Sequence, residues 1–240
     1  MKKIGITGQN GFIGRHLYNT LGLSPEVFER IDFKKEFFDS PSQLDEFVQQ
    51  CDVIVHLAAM NRHENQEFIY KTNIDLVKKL TASLERTLSK AHILFSSSSQ
   101  EERDNFYGKS KKEGRQILID WANNNNAKLT GLLIPNVFGP FGLPNYNSFI
   151  ATFCYKLTHG ETPTIDNDGE VSLIYVGELV TEFINQINKS ETNVLYKVPY
   201  TSTNKVSEVL ASLQYFKETY FHENEIPELK TKFEFNLNKT

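Results

Sequence analysis

Only two cysteines, Cys51 and Cys154, occur in 240 residues. Two lone thiols lay out no disulfide framework and fit a chain that folds in a reducing compartment. No apolar run approaches the roughly 20 residues that a membrane-spanning helix needs. Met1-Lys2-Lys3 could open a signal peptide, but Gly5, Thr7 and Gly8 break the apolar stretch behind it at once. The expectation is a soluble, cytoplasmic protein with no membrane partner. No block of basic residues is present: 26 Lys and Arg are interspersed with 30 Asp and Glu, for a net charge of −4, which argues against nucleic acid as a partner. None of the six histidines stands in the HxH spacing of a metal site, so no metal is expected. There is no internal repeat.

What is present is an alternation of short apolar runs with amphipathic stretches. Residues 4–7 read as a buried strand that leads into Gly8-Gln9-Asn10-Gly11-Phe12-Ile13-Gly14. Glycines spaced GxxGxxG let a backbone turn sharply and come close to a pyrophosphate. A helix over about 12–21 would then offer its free N–H groups to that anion. A second strand, Val27 to Asp32, ends 24 residues after Gly8. An acid there is placed for the ribose hydroxyls of NAD. Arg15, which follows the glycine loop, and Arg30, Lys34 and Lys35 suit the 2′-phosphate of NADP instead, and charge alone does not decide between the two.

Ser40-Pro41-Ser42-Gln43 has the form of a capping box with proline at the first helical position, opening a helix to about Gln50. Asp52 to Leu57 is the third strand. The small residues Ala58 and Ala59 follow it and let a cofactor lie against the backbone, and His56 reads as a strand-end histidine rather than a ligand. Residues 65–89 are helical, with Phe68, Ile69, Thr72, Leu76, Leu80 and Leu84 as an apolar stripe. A fourth strand, residues 92–95, runs into Ser96-Ser97-Ser98-Ser99 at the strand end where doubly wound folds bind ligands.

Tyr107 and Lys111 follow on a helix to about Trp121, four positions apart and so on one face, about 6 Å from each other. A fixed ammonium beside a phenol favours the phenolate and makes the tyrosine a usable proton donor near neutral pH. Asn123 to Asn126 end that helix, and 129–134 is the fifth strand. Strands and helices alternating to residue 134 specify an α/β fold, a Rossmann-like, doubly wound parallel sheet with right-handed crossovers. Beyond it come a Pro/Gly/Asn loop (135–147), helices at 148–159, 178–188 and 205–220, and strands at 164–166, 172–176 and 194–198. The tail, 221–240, shows no clear capping element. This organisation reads as a dinucleotide-binding domain, 1–140, and a small α/β substrate-binding subdomain, 141–240.

Thr7-Gly8-x-x-Gly11-Phe12-Ile13-Gly14, His56-Leu57-Ala58-Ala59, Ser97-Ser98, Tyr107-x-x-x-Lys111 and Pro135-Asn136-Val137-Phe138-Gly139-Pro140 together resemble the extended short-chain dehydrogenases/reductases, the NAD-dependent epimerase/dehydratase group acting on nucleotide sugars. More narrowly, residues 144–156, Asn61-Arg62 and the short interval from Ser98 to Tyr107 resemble the capsular-polysaccharide reductases of the CapF/WbjC type. That resemblance implies NADPH-dependent reduction, with NADH as the alternative, of a UDP-linked 4-keto-6-deoxy amino sugar on the way to UDP-N-acetyl-fucosamine.

It implies Tyr107 as general acid at the sugar C4 oxygen, with Lys111 on the nicotinamide ribose and making Tyr107 more acidic. Ser98, or Ser97 one register away, would hydrogen-bond the same oxygen. Gly8, Asn10, Gly11, Phe12, Ile13 and Gly14 would cradle the pyrophosphate, Leu57, Ala58 and Ala59 would line the cofactor, and Pro135 and Val137 would lie near the nicotinamide. Asn61, Arg62, Asn136, Asn145, Tyr146, Asn147 and Ser148 are the candidates for the substrate side. The family pairs through its two long helices, here about 65–89 and 107–122, so a homodimer is expected.

Three departures qualify the resemblance. Ser172-Leu173-Ile174 precedes Tyr175-Val176 where many members carry an Arg-Asp clamp for the diphosphate. Ser99 and Gln100 stand where the 4,6-dehydratases place Asp-Glu, which disfavours elimination. No metal-binding cupin follows residue 240, so C3 epimerisation is not expected of this chain. The alternatives to a reductase are an epimerase that retains NAD, and a cofactor-binding protein without catalysis.

Overall fold

The computed structural model describes residues 1–189 and 191–240. They fall into two compact units, Met1–Ile134 with Val180–Val198, and Pro135–Leu179 with Pro199–Thr240.

The first unit is built on β1 (Lys2–Thr7), α1 (Phe12–Leu21), β2 (Phe28–Ile31), α2 (Pro41–Gln50), β3 (Val53–His56), α3 (Gln66–Arg86), β4 (His92–Ser98), α4 (Phe106–Asn125) and β5 (Leu129–Ile134). After β6 (Asn136–Phe138), α5 (Phe149–Thr158) and β7 (Glu170–Tyr175), α6 (Val176–Asn188) leads back to β8 (Asn193–Lys197). The sheet order is β2-β1-β3-β4-β5-β8, and every pairing is parallel. Strand order reverses on either side of β1, so the topological switch point lies between the carboxyl ends of β1 and β3, where such sheets bind ligands. The expected doubly wound sheet is what forms.

Its strands are apolar on both faces because helices cover both. Ile54, Ile93, Phe95 and Leu129 pack with Val77 and Leu80 of α3 and with Leu118 and Trp121 of α4, all buried. α3 and α4 lie along one another. The buried face of α3 runs through Ile69, Asn73, Val77, Leu80 and Leu84, whereas Phe68, expected in that stripe, is 46% exposed. Pro41 does open α2, but Ser40 makes no side-chain cap bond, so the capping box read there is absent.

The second unit holds a three-stranded sheet, β6-β7-β9, with β9 spanning Ser202–Lys205, and a core of Phe138, Ile150, Phe153, Leu173, Val209 and Phe216. α7 (Val206–Glu218) and α8 (Lys232–Asn238) complete it. No strand forms at 164–166. Pro163 brings no N–H to a ladder, and Asp168 instead accepts bonds from Ser207 N at 2.7 Å and Ser207 Oγ at 2.8 Å. The tail is capped after all. Thr231 Oγ1 accepts from Glu234 N at 3.1 Å and Glu234 Oε2 from Thr231 N at 2.9 Å, a capping box that starts α8. Among the described residues no helix is long and apolar enough to cross a membrane.

Candidate active site

At the switch point the chain leaves β1 through Gly8, whose φ of +80° is costly for any residue with a Cβ. A Cβ there would also lie 2.9 Å from Ala58 N, so the glycine loop and the segment after β3 run backbone against backbone. Gly11 N donates to Gly8 O at 2.9 Å. Gly11 is the N-cap of α1 and supplies no side chain to its first N–H groups. A Cβ on Gly14 would overlap the Gly8 carbonyl oxygen and lie 2.8 Å from Gln9 Cα. The result is a narrow turn with bare helix N–H groups, which fits a dinucleotide pyrophosphate. Phe12 and Ile13 are half-buried at the start of α1, while Asn10 and Arg15 are exposed on either side. Gln9 Oε1 accepts from Phe33 N at 3.0 Å and ties the loop to the end of β2.

Asp32 lies one residue past β2. It accepts a 2.5 Å bond from the Tyr18 hydroxyl, and the Arg30 guanidinium sits 4.3 Å from the centre of the Tyr18 ring. The acid and one of its competing bases thus meet on one tyrosine, an arrangement that spacing alone did not announce.

The Tyr/Lys pair sits at the head of α4. Asn105 caps that helix, its Oδ1 accepting from Gly108 N at 2.7 Å, and a Cβ on Gly108 would overlap the carbonyl of Gln100. The 3-10 turn Ser99–Glu102 therefore presses directly on the first turn of α4. Tyr107 is half-buried and Lys111 is 3% exposed. Lys111 Nζ donates to Ser96 O at 2.9 Å and lies 5.6 Å from the centre of the Tyr107 ring and 5.2 Å from that of Phe95. Burial pushes the lysine down to about 8, against the pull of the Glu101 carboxylate.

The two serines left open by the sequence are used differently. Ser97 Oγ donates to Glu101 Oε1. Ser98 Oγ accepts from Gln100 N at 3.1 Å, a bond that engages its oxygen and not its hydrogen. Leu57, Ala58 and Ala59 are half-buried beyond β3, and Ala58 N approaches Thr7 Oγ1 at 3.4 Å.

Three buried polar groups escaped the sequence reading. Asn73 of α3 accepts from Met60 N at 2.7 Å and donates to Met60 O and Ser110 Oγ, each at 3.0 Å. Ser110 Oγ donates in turn to Tyr107 O at 2.7 Å, so the segment leading to Asn61 and Arg62 is bonded through α3 to the turn that carries Tyr107. The third is Glu101, 7% exposed. The signal for Asn73 was a polar residue on the apolar face of a helix, and for Glu101 a carboxylate just after the serine run.

His56 Nδ1 lies 2.8 Å from Thr7 Oγ1 and its ring stacks on Phe95 at 5.8 Å. Burial, helped by the Lys111 charge, pushes it down to about 3, and burial first of all pushes His92 down to about 4. Both are neutral in the folded chain and protonate in the unfolded one below its value near 6.5. The unfolded state then binds more protons, so stability falls as pH drops from 6.5 towards 4. Urea unfolding at pH 7 and pH 5 should show about 1–2 kcal/mol lost per histidine over that step. Equal stability at both values would mean that these imidazoles are charged in the folded protein.

In the second unit, half-buried Pro135 follows β5, Asn136 opens β6 with its side chain exposed, and Val137 pairs with Ile174 of β7. Asn145 has φ +56° and its N–H donates to Thr152 Oγ1 at 2.9 Å. Tyr146 is half-buried and Asn147 exposed, while Ser148 caps α5 by accepting from Ala151 N at 3.3 Å. Among the described residues no group of three or more His, Cys, Asp or Glu is placed to hold a metal ion.

A glycine turn that fits a pyrophosphate, at the switch point of a parallel sheet, followed by a serine strand end and a Tyr-x-x-x-Lys helix, defines a dinucleotide-binding α/β protein of the short-chain dehydrogenase/reductase kind. More narrowly, the chain belongs to the NAD dependent epimerase/dehydratase family, whose profile matches residues 4–198. A curated relative, the UDP-2-acetamido-2,6-beta-L-arabino-hexul-4-ose reductase of Pseudomonas aeruginosa, is 32% identical over 194 residues, 80% of this chain and 51% of the relative. The crystal structure of the capsular polysaccharide assembling protein CapF from Staphylococcus aureus is 30% identical, with a TM-score of 0.81 over 99% of this chain and 63% of that one. RMD from Pseudomonas aeruginosa, solved with NADPH, is 15% identical with a TM-score of 0.83, covering 100% of this chain and 97% of that one, a likeness of fold alone. The chain thus spans about half the length of the curated relative it matches.

Proposed function

We propose that this chain is an NADPH-dependent reductase of the C4 ketone of a 4-keto-6-deoxy UDP-N-acetylhexosamine, a step toward a UDP-N-acetyl-fucosamine-type precursor of surface polysaccharide. The observation that carries this reading is the sealed Lys111 amine, 5.6 Å from the centre of the Tyr107 ring, beside a strand end that offers Ser98. The relative that reduces a 4-keto UDP-sugar supports the substrate class.

A nicotinamide held there in its reduced form supplies the hydride for the sugar carbonyl carbon. Gly8, Gly11 and Gly14 admit the pyrophosphate to the first turn of α1, and Leu57, Ala58 and Ala59 line its path. Tyr107 hands its phenolic proton to the carbonyl oxygen as negative charge grows there, and Ser98 donates a hydrogen bond to the same oxygen. The Lys111 ammonium stabilises the phenolate that results. Ser98 takes this role rather than Ser97, because Ser97 is committed to Glu101. Asn61 and Arg62 of the first unit serve the nucleotide sugar, the second unit's Pro135, Asn136, Val137 and Asn145 to Ser148 keep the roles that the family resemblance gives them, and two copies pair through α3 and α4.

The second reading, an epimerase that keeps NAD, draws on Asp32 just past β2, where the Tyr18 hydroxyl engages one of its two carboxylate oxygens. Incubating the protein with NADPH and the 4-keto sugar nucleotide decides between the two. A reductase consumes NADPH one for one with product, faster than NADH. Cofactor retained through purification, with no net consumption, would replace the proposal with the epimerase.

A further inference from the structure

We propose that Glu101 is a positioning residue of this centre, its buried carboxylate locking the Ser98-to-Tyr107 segment onto α4 and setting a fixed negative charge against the helix face that carries Tyr107, Lys111 and Arg115. Its place in a catalytic centre rests on the reading of Tyr107 and Lys111 above.

The geometry is that of a built site. Glu101 belongs to the 3-10 turn that follows Ser98. Arg115 grips it in a fork, with Nε to Oε1 at 2.9 Å and Nη2 to Oε2 at 2.5 Å, the two side chains being 14% and 4% exposed. Ser97 Oγ adds a third bond to Oε1. Arg115 Nη1 reaches Val194 O on β8 at 3.3 Å, so the fork is itself anchored to the sheet. Paired and bidentate, the buried carboxylate holds its turn in one place relative to α4.

Lys111 stands one helical turn before Arg115 and one after Tyr107, so the three line one face of α4. The titratable and charged groups toward Lys111 are Tyr107 and Arg115 from α4, His56 from β3 and Glu101 from the turn. β4 contributes the carbonyl of Ser96 and the ring of Phe95. His56 is neutral and Arg115 is cationic, so of this set Glu101 is the group that favours the ammonium, and its pull opposes burial. Loss of the carboxylate leaves burial unopposed, and Lys111 should release its proton at lower pH.

Carbon-13 labelled lysine, with the Lys111 ε-methylene signal assigned by its absence from Lys111→Met, gives the titration directly by NMR and needs no substrate. Wild type should titrate near 8, and Glu101→Gln lower by at least about half a unit. Glu101→Asp, whose shorter carboxylate cannot span Ser97 and the fork together, should fall between them. The alkaline limb of kcat should move by the same interval, whereas a merely structural defect lowers kcat at every pH and leaves the limb in place. Coincident Lys111 curves for wild type and Glu101→Gln overturn the proposal. If Glu101→Gln does not fold, Glu101→Met, which also removes the charge, takes its place, and coincidence of its curve with wild type overturns the proposal. A shifted titration in a protein that reduces no keto sugar would instead retain the Glu101 effect and remove the reductase reading.

Discussion

Tyr107→Phe should bind NADPH as tightly as the wild type and turn over about 100- to 10,000-fold more slowly, the usual worth of a positioned proton donor. The substitution removes one oxygen from a half-buried ring at the head of α4. Ser110 Oγ bonds the backbone carbonyl of Tyr107 and Asn105 caps the helix through Gly108 N, and the substitution leaves both bonds in place. What is lost is the proton that must reach the carbonyl oxygen. In the proposed mechanism Ser98 still offers a hydrogen bond there, but an alcohol is a far weaker acid than a phenol and does not replace it as proton donor. Fluorescence titration with NADPH and steady-state turnover with the keto sugar nucleotide check the two halves separately. Normal turnover by the variant would remove Tyr107 from the chemistry. Lost NADPH binding would mean that the hydroxyl serves the cofactor instead.

The fold and the frame of this centre were legible because they rest on local rules. Gly8 and Gly14 announced the turn, the buried runs of β1, β3, β4 and β5 announced a sheet covered on both faces, and i, i+4 spacing put Tyr107 and Lys111 on one face of α4. What the sequence concealed depends on partners far along the chain. The bond from Ser97 to Glu101, on which the proposal prefers Ser98, was hidden because Glu101 is held by Arg115, 14 positions on. The bond from the Tyr18 hydroxyl to Asp32, also 14 positions apart, was equally hidden. Asn73 looked like one more helix residue until Met60 and Ser110 closed on it. The capping box at Thr231 is a different case: its Thr-x-x-Glu pattern stood in the sequence, and a charged tail hid it. The box read at Ser40 went the other way, because Pro41 at the first helical position was enough to open α2 without a side-chain cap.

Gly14→Ala should weaken dinucleotide binding far more than the same change at Gly11. The new methyl would overlap the Gly8 carbonyl oxygen and lie 2.8 Å from Gln9 Cα and 3.0 Å from the Gly8 carbonyl carbon. All three are backbone atoms of the turn, so no side chain can swing aside; the loop must lift off α1. That movement would break the bond from Gly11 N to Gly8 O and pull Gln9 away from Phe33 N, at 2.9 and 3.0 Å. Overpacking of this kind costs about 1–3 kcal/mol, which lowers the urea midpoint. If the same energy is taken from the bound state, NADPH affinity falls by about 10- to 100-fold. Gly11→Ala supplies the comparison. Its Cβ would meet only the Gly8 carbonyl oxygen, at 3.2 Å, and that contact is relieved by a few tenths of an ångström. Calorimetric titration with NADPH should therefore rank wild type, then Gly11→Ala, then Gly14→Ala, with the larger gap at the second step. Equal affinity for wild type and Gly14→Ala would mean that the dinucleotide does not enter over the first turn of α1, and the roles given to Gly8, Ala58 and Lys111 would lose their common ground, because each is argued from a ligand that begins at that turn.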